Sequence, residues 1–265
     1  MKNGLPILLT LFVLIPFSAV AQGTDNDLEN DFGARISAAV DKKIVKGFHV
    51  TAELEGRMNE NMSDFSRYQA GVSVSYKALD FLKLGAGYLY IGKKNSTDEW
   101  KPRHRIYADA TLSYKTGGWR FALKERISLT HKDVGNKFQS VPNAVELRSR
   151  AKVSYKASAL IEPYMYVELR NIFNDPACSA TWNTTSLSYS DYSFRGYTDT
   201  YFNRVRGCLG TEFNLNKHNA IDFFILGDYC HEKNVDTNAE GTKLKSLTYD
   251  RAFNVNVGIG YTFSF

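Results

Sequence analysis

The residues of this chain able to do chemistry are mostly charged, and their spacing is as informative as their type. Glu146, Arg148, Arg150 and Lys152 occupy every second position of one run. Glu53 with Glu55, Lys124 with Arg126, Glu168 with Arg170, and Arg204 with Arg206 repeat the pattern, and Glu212 and Asp222 extend it. In an extended chain alternate side chains share a face, so each run shows its charges on one side only. Gathered into one interior, such faces offer electrostatic chemistry of two kinds. They can cancel as a packed network of ion pairs. Alternatively, because Arg and Lys outnumber the acids, they can line a path with a weak preference for anions. The small residues Ser73, Ser75, Gly85 and Gly87, which share the inward parity, keep the second reading open.

Other chemistry has thinner support. His104, His131 and His231 fall near strand ends, where a rim enzyme acting on lipid would work. Hydrolysis needs a nucleophile, a base and an orienting group in mutual reach. The chain has no G-x-S-x-G and no H-E-x-x-H spacing, so no catalytic residue is assigned. No metal-ligand spacing and no cofactor motif is present, and neither metal nor cofactor is expected. Cys178 lies in the longest connector and Cys230 near the same end of its strand. A disulfide between them and three free thiols are both open, with Cys208 unpaired in either case.

The elements that must carry these residues are strands. From Phe253 to Phe265 apolar residues alternate without a break with Asn, Gly, Thr and Ser. The same period of two recurs in about ten earlier segments, each long enough to cross a bilayer as a tilted strand of about 9–11 residues. Typical is 104–115, with Ile106, Ala108, Ala110, Leu112 and Tyr114 on one face and Arg105, Asp109, Thr111 and Ser113 on the other. Short connectors (42–46, 77–80, 115–118, 157–162, 214–219) alternate with longer polar ones (58–65, 93–103, 132–143, 174–198, 232–247). Two features resist a simple pattern. The segments number about eleven, whereas bacterial single-chain barrels have an even count. Glu125 falls on the apolar parity of its strand, which calls for a bulge or a place near an interface.

Length and composition bound the rest. Lys2, the apolar stretch from Leu5 to Phe17 and Ala19-Val20-Ala21 read as a cleaved signal peptide over residues 1–21. Residues 22–265 then form a single domain, and its net charge falls from +5 to +4 because Lys2 is removed. That excess is small and dispersed, so nucleic acid is not an expected partner. No later segment approaches the apolar length of a spanning helix, and the mean hydropathy is below zero. A chain of this kind enters a bilayer only as a closed barrel, in which alternate residues face lipid. The expected fold is all-β: a transmembrane antiparallel up-and-down barrel of about 10–12 strands, outer-membrane type, with lipid as its surroundings. The connector 176–198 holds Trp182, Tyr189, Tyr192, Phe194 and Tyr197, more aromatic surface than a solvated loop needs. It reads as a lid packed over the mouth, or as a binding surface for a partner or glycan.

The final strand resembles the closing strand of bacterial outer-membrane barrels. That resemblance implies that Phe263 and Phe265 form the insertion signal read by the barrel-assembly machinery. Over nearly the whole mature chain the sequence also resembles an outer-membrane family catalogued as domain of unknown function 2490, common in Gram-negative anaerobes. The likeness lies in Asp31-Phe32-Gly33, the Tyr68–Lys77 segment, Leu84-Gly85-Ala86-Gly87-Tyr88, Asn203-Arg204-Val205-Arg206 and Asn214-Leu215-Asn216-Lys217-His218. It implies a barrel in the outer membrane and brings no activity, so no functional residue is carried over. The function expected is structural or passive small-solute conduction, porin-like in kind. A lipid-modifying rim enzyme and a loop-mediated binding protein are the alternatives.

Overall fold

The computed structural model of the protein describes residues 24–95 and 97–265, with side chains from Leu28 onward. The signal peptide expected over 1–21 lies outside these residues. The described chain is a succession of strands without a helix: β1 (Thr24–Val45), β2 (Phe48–Asn59), β3 (Asp64–Lys77), β4 (Leu82–Lys94), β5 (Trp100–Thr116), β6 (Trp119–Lys132) and β7 (Asn143–Tyr155). There follow β8 (Ile161–Asp175), β9 (Cys178–Asn183), β10 (Ser188–Phe194), β11 (Asp199–Asn214), β12 (Asn219–Thr237) and β13 (Leu244–Ser264). Eleven of them close a barrel, in the order β1-β13-β12-β11-β8-β7-β6-β5-β4-β3-β2. Strands β9 and β10 form a separate hairpin.

The odd count is resolved at the seam. Every neighbouring pair is antiparallel except β1 and β13, which run parallel from Thr24↔Thr248 to Asp41↔Ser264. Eleven up-and-down strands leave the first and last pointing the same way, so closure has to be parallel. A parallel pair is slightly less stable per residue, and here it is offset by length. The terminus is also tied into the seam: the Phe265 amide donates to the Asp41 carbonyl, and the Lys43 amide to the Phe265 carbonyl, both at 3.0 Å. Phe263 and Phe265 lie 5.5 Å apart, with the Lys42 ammonium 5.0 Å from the Phe265 ring.

Side-chain parity divides the molecule as expected. Ile36, Leu54, Val72, Ile106, Ile127, Met165, Leu209 and Ile225 are all exposed on the outer wall, while charged residues of the opposite parity are buried inside. This reverses the arrangement of a soluble protein and defines a membrane-spanning barrel. Aromatic groups ring both ends of the apolar band: Trp119 against Tyr155 (4.8 Å) at the short-turn end, and Tyr68 against Trp100 (5.0 Å) at the other. The short turns are tight; Gly47 and Gly117 adopt φ of +82° and +56°, which other residues rarely do.

Local irregularities alter three expectations. A bulge at Asn203 breaks the β8–β11 register between Phe202↔Asn171 and Arg204↔Arg170. It turns Tyr201, which by strict alternation would share the outer face of Val205 and Leu209, to the inward side, where its hydroxyl accepts from the Lys233 amide at 3.3 Å. Glu125 has no bulge. Its pairing with Ala110 and Ser149 is continuous, so it lies on the lipid face midway along β6. There it accepts a hydrogen bond from the Ser149 hydroxyl at 2.6 Å. Finally, much of the long connectors is strand: β12 and β13 span 19 and 21 residues, so their paired tips project beyond what a bilayer needs.

The β9–β10 hairpin packs on that projecting ribbon. Cys178, Ala180, Tyr189 and Tyr192 cover Val235, Leu244 and Leu247. Val235 and Leu247 share the parity of the lipid-facing Tyr229 and Phe253. The hairpin therefore rests on the outer side of the ribbon rather than across the mouth as a lid, leaving Trp182 and Leu187 exposed. Phe194 and Tyr197 complete its base, with Phe194 edge-on to Phe138 at 5.2 Å and to Tyr197 at 5.5 Å. The β6–β7 connector reaches the ribbon tip through hydrogen bonds from Asn136 and Gln139 to Asp236, Thr237 and Asn238.

Candidate functional site

The inward parity of the strands brings all the sequence-predicted charged residues into one lumen. At its waist, β7, β8, β11 and β12 lay Arg148 opposite Arg170, Arg150 opposite Glu168, Glu168 opposite Arg206, and Arg206 opposite Asp228. Ion pairs close this level. Arg206 reaches Asp228 at 2.8 Å and Glu168 at 3.3 Å. Arg150 donates from Nε and Nη2 to one oxygen of Glu168, at 2.8 and 2.5 Å. Glu146 takes Arg148 at 2.8 Å, Arg105 at 3.5 Å and Arg170 at 3.6 Å. Arg170 also meets Glu232 (3.1 Å) and donates to Asn203 (2.7 Å). Arg204 and Arg35 approach Asp228 at 3.3 and 3.8 Å. Water scarcely reaches this girdle, since Glu168 is 4% exposed and Asp228 3%.

Toward the short-turn end the arrangement loosens. Asp109 holds Arg126 (2.7 Å) and Lys124 (3.0 Å), and the Arg126 guanidinium stacks 3.8 Å from the Tyr107 ring. On β2, Glu55 pairs with Arg57 at the level of Arg35 and the waist, while Glu53, nearer the short turn, makes no ion pair within the described residues. Lys124, Arg126, Arg148, Arg150 and Glu168 line a void of about 70 Å³. The small residues do not leave an opening. A side chain at Gly87 would meet the Tyr107 ring at 2.5 Å, and one at Gly71 would meet Leu89 at 2.3 Å. The space they release is filled by neighbours from the next strand, so the room that kept the path reading open at Ser73, Ser75, Gly85 and Gly87 is occupied in its inner part.

Below this level the lumen widens into a vestibule of about 760 Å³. Its lining includes Lys43, His49, Lys77, Lys83, Lys115, Arg120 and Lys152, each from a different strand, with the hydroxyls of Thr111, Ser113 and Ser154. The single acid in the lining, Asp80, accepts from Lys77 at 2.6 Å. That hydrogen bond and the ammonium charge hold the Asp80 carboxyl below the usual carboxylate range. On the other wall, Glu162, Glu212 and Asp222 lie side by side in register across β8, β11 and β12. Asp222 accepts from the Tyr164 hydroxyl at 2.8 Å, and Lys152 sits 3.9 Å from the Tyr164 ring.

The remaining candidates are not assembled into a site. His104 and His131 face each other across β5 and β6, but His104 bonds to the Tyr88 hydroxyl (2.7 Å) and His131 to Asn143 (2.8 Å). His231 stacks on Tyr249, far along β12. Cys178, Cys208 and Cys230 are all free thiols. The Cys178–Cys230 disulfide is not formed, because Cys178 packs on the outer face of the ribbon while Cys230 has lumen parity between Arg204 and Ala252. Arg35, Arg57, Arg105, Asp109, Asp228 and Glu232 complete the network; the alternation puts Arg105 and Asp109 on the inward face but does not by itself assign them to it. Their signal was the same alternate spacing, diluted by small neighbours.

A closed barrel with an apolar wall and a charged lumen places the protein among membrane-spanning β-barrels. Within that class a family model described as "Protein of unknown function (DUF2490)" matches residues 32–239, and the chain belongs to this family. A search of curated proteins finds no match. Among solved structures the chain is similar to one titled "NanC porin structure in rhombohedral crystal form". Identity is 14% and the TM-score 0.44, with 89% of this chain and 99% of that chain covered.

Proposed function

We propose that the protein resides in the outer membrane of a Gram-negative cell as a structural barrel with restricted, passive conduction of small solutes. The short turns face the periplasm, and the long connectors with the β12–β13 ribbon face outward. Outer-membrane lipid surrounds the apolar band, and the C-terminal aromatic strand is the element read by the assembly machinery. Short turns on one side and long loops on the other, the alternating C-terminal strand and the expected signal peptide support this reading.

The observation that carries the functional part is the girdle at the waist. Buried ion pairs of Glu146, Glu168 and Asp228 constrict a lumen in which arginine and lysine outnumber the acids at the waist and in the short-turn vestibule. A path of this kind admits little, and what it admits is preferentially anionic. Planar-bilayer recording of the refolded protein tests it. Small conductance is expected, with a reversal potential displaced toward the anion. Complete silence at every applied voltage would make the barrel a sealed structural element, and cation preference would refute the conduction reading. Removal of Phe265 should lower the amount of folded barrel in the outer membrane while leaving refolding in detergent unaffected. Binding through the external loops is a second reading, favoured by the exposure of Trp182 and Leu187 on the hairpin.

A further inference from the structure

The short-turn vestibule differs from the rest of the lumen in what is left uncompensated. At the waist each acid is shared among two or more cations. In the vestibule Lys43, Lys83 and Lys115 make no ion pair within 4 Å among the described residues. Lys77 is occupied by Asp80. Arg120 reaches only Glu162, at 3.6 Å. Ammonium groups from separate strands share this one lining, and like charges gathered in one cavity give it a positive potential. Such a cluster is relieved by an anion that bridges several of them.

The space fits the charge. A cavity of about 760 Å³ lies within the range of small-molecule sites. Hydroxyl donors from Thr111 and Ser113 stand among the cations, suiting oxyanions rather than halide, while the Ser154 hydroxyl donates to Glu162 at 2.8 Å. The register also connects the vestibule inward. Thr111 lies between Lys83 of β4 and Lys124 of β6, and Lys124 opens on the void shared with Arg126, Arg148 and Arg150. The ion-paired waist above that void narrows the inner end of the pocket.

We propose that this vestibule is a binding site for a soluble polyanion, a small molecule with two or more phosphate or carboxylate groups, entering from the short-turn end. Lys43, Lys83, Lys115 and Arg120 hold the anionic oxygens, and the hydroxyls orient them. The acidic row of Glu162, Glu212 and Asp222 confines the ligand to the opposite wall. The proposal rests on the barrel reading above, and its periplasmic access on the orientation given there. The chemistry of the pocket does not depend on conduction.

The test is isothermal titration of the refolded barrel in zwitterionic detergent with inorganic tripolyphosphate, and separately with citrate. Saturable one-site binding is expected to at least one of them. The double variant Lys83→Gln/Lys115→Gln should weaken it about tenfold or more, the loss of two charge-assisted hydrogen bonds. Lys101→Gln/Lys245→Gln removes the same charge at the long-loop end, from residues paired with Glu99 and Asp236, and should leave binding unchanged. No binding to the native barrel, or equal weakening by both pairs, overturns the site. A third arm repeats the titration in nanodiscs containing phosphatidylglycerol. Binding retained there supports a soluble ligand; binding lost only there points to a lipid headgroup and overturns the source proposed. Binding with no conductance refutes the channel but not the site, and conductance with no binding does the reverse.

Discussion

The waist and the vestibule use the same side chains to opposite ends. At the waist, Arg150, Arg170 and Arg206 stand beside Glu168, Glu146 and Asp228, and each guanidinium finds a carboxylate. In the vestibule Lys43, Lys83 and Lys115 line open space and make no ion pair among the described residues. A buried charge needs an immediate partner because desolvation costs several kcal/mol per ion. A charge facing water does not, so it remains available to a ligand. Burial separates the cations locked into ion pairs from those left facing water. The choice of arginine for the one and lysine for the other follows: a guanidinium offers several donors to several acceptors at once, whereas an ammonium is a compact charge that can follow a ligand.

The widest separation between the two regions should appear in stability. Asp228→Leu leaves Arg206, Arg204 and Arg35 without their shared carboxylate and should lower unfolding stability by about 3 kcal/mol, read from urea denaturation in lipid vesicles. A loss below about 1 kcal/mol would mean that the girdle is hydrated and that the contrast is false. Conductance sharpens the same contrast. Glu146→Ala combined with Arg148→Ala removes one girdle pair, leaves Arg105 without its carboxylate as a free cation in the lumen, and should raise single-channel conductance several-fold. An unchanged conductance would place the constriction elsewhere.

The vestibule should respond in the opposite sense. Lys83→Gln/Lys115→Gln is expected to change stability by no more than about 0.5 kcal/mol, as surface substitutions do, while moving the reversal potential toward cations. The anion preference of the native barrel should itself fade between 0.1 and 1 M salt, where the screening length falls from about 10 Å to about 3 Å. The smallest effect lies outside the lumen. Glu125 sits on the lipid face with only Ser149 as partner, so Glu125→Leu should stabilise the barrel by about 1 kcal/mol. A loss instead would show that the carboxyl has a partner in the membrane.

What the chain determined locally was legible before any coordinates. Side chains alternate by stereochemistry, so the faces of Glu146–Lys152, Glu53–Glu55 and Arg204–Arg206 follow from spacing alone. The even spacing of charges and the aromatic ends marked a barrel with a charged interior for the same reason. The alternation failed only where a bulge intervened, at Tyr201, because a bulge leaves no mark in a period of two until its partner strand is known. Tertiary structure decided what depends on strands far apart in the chain. The parallel β1–β13 seam, the meeting of Arg35 with Asp228, the filling of Gly71 and Gly87 by Leu89 and Tyr107, and the placement of the β9–β10 hairpin outside the ribbon all arise from inter-strand register. Register sets which charges lie close enough to cancel, and a composition richer in cations than acids cannot say where the remainder gathers.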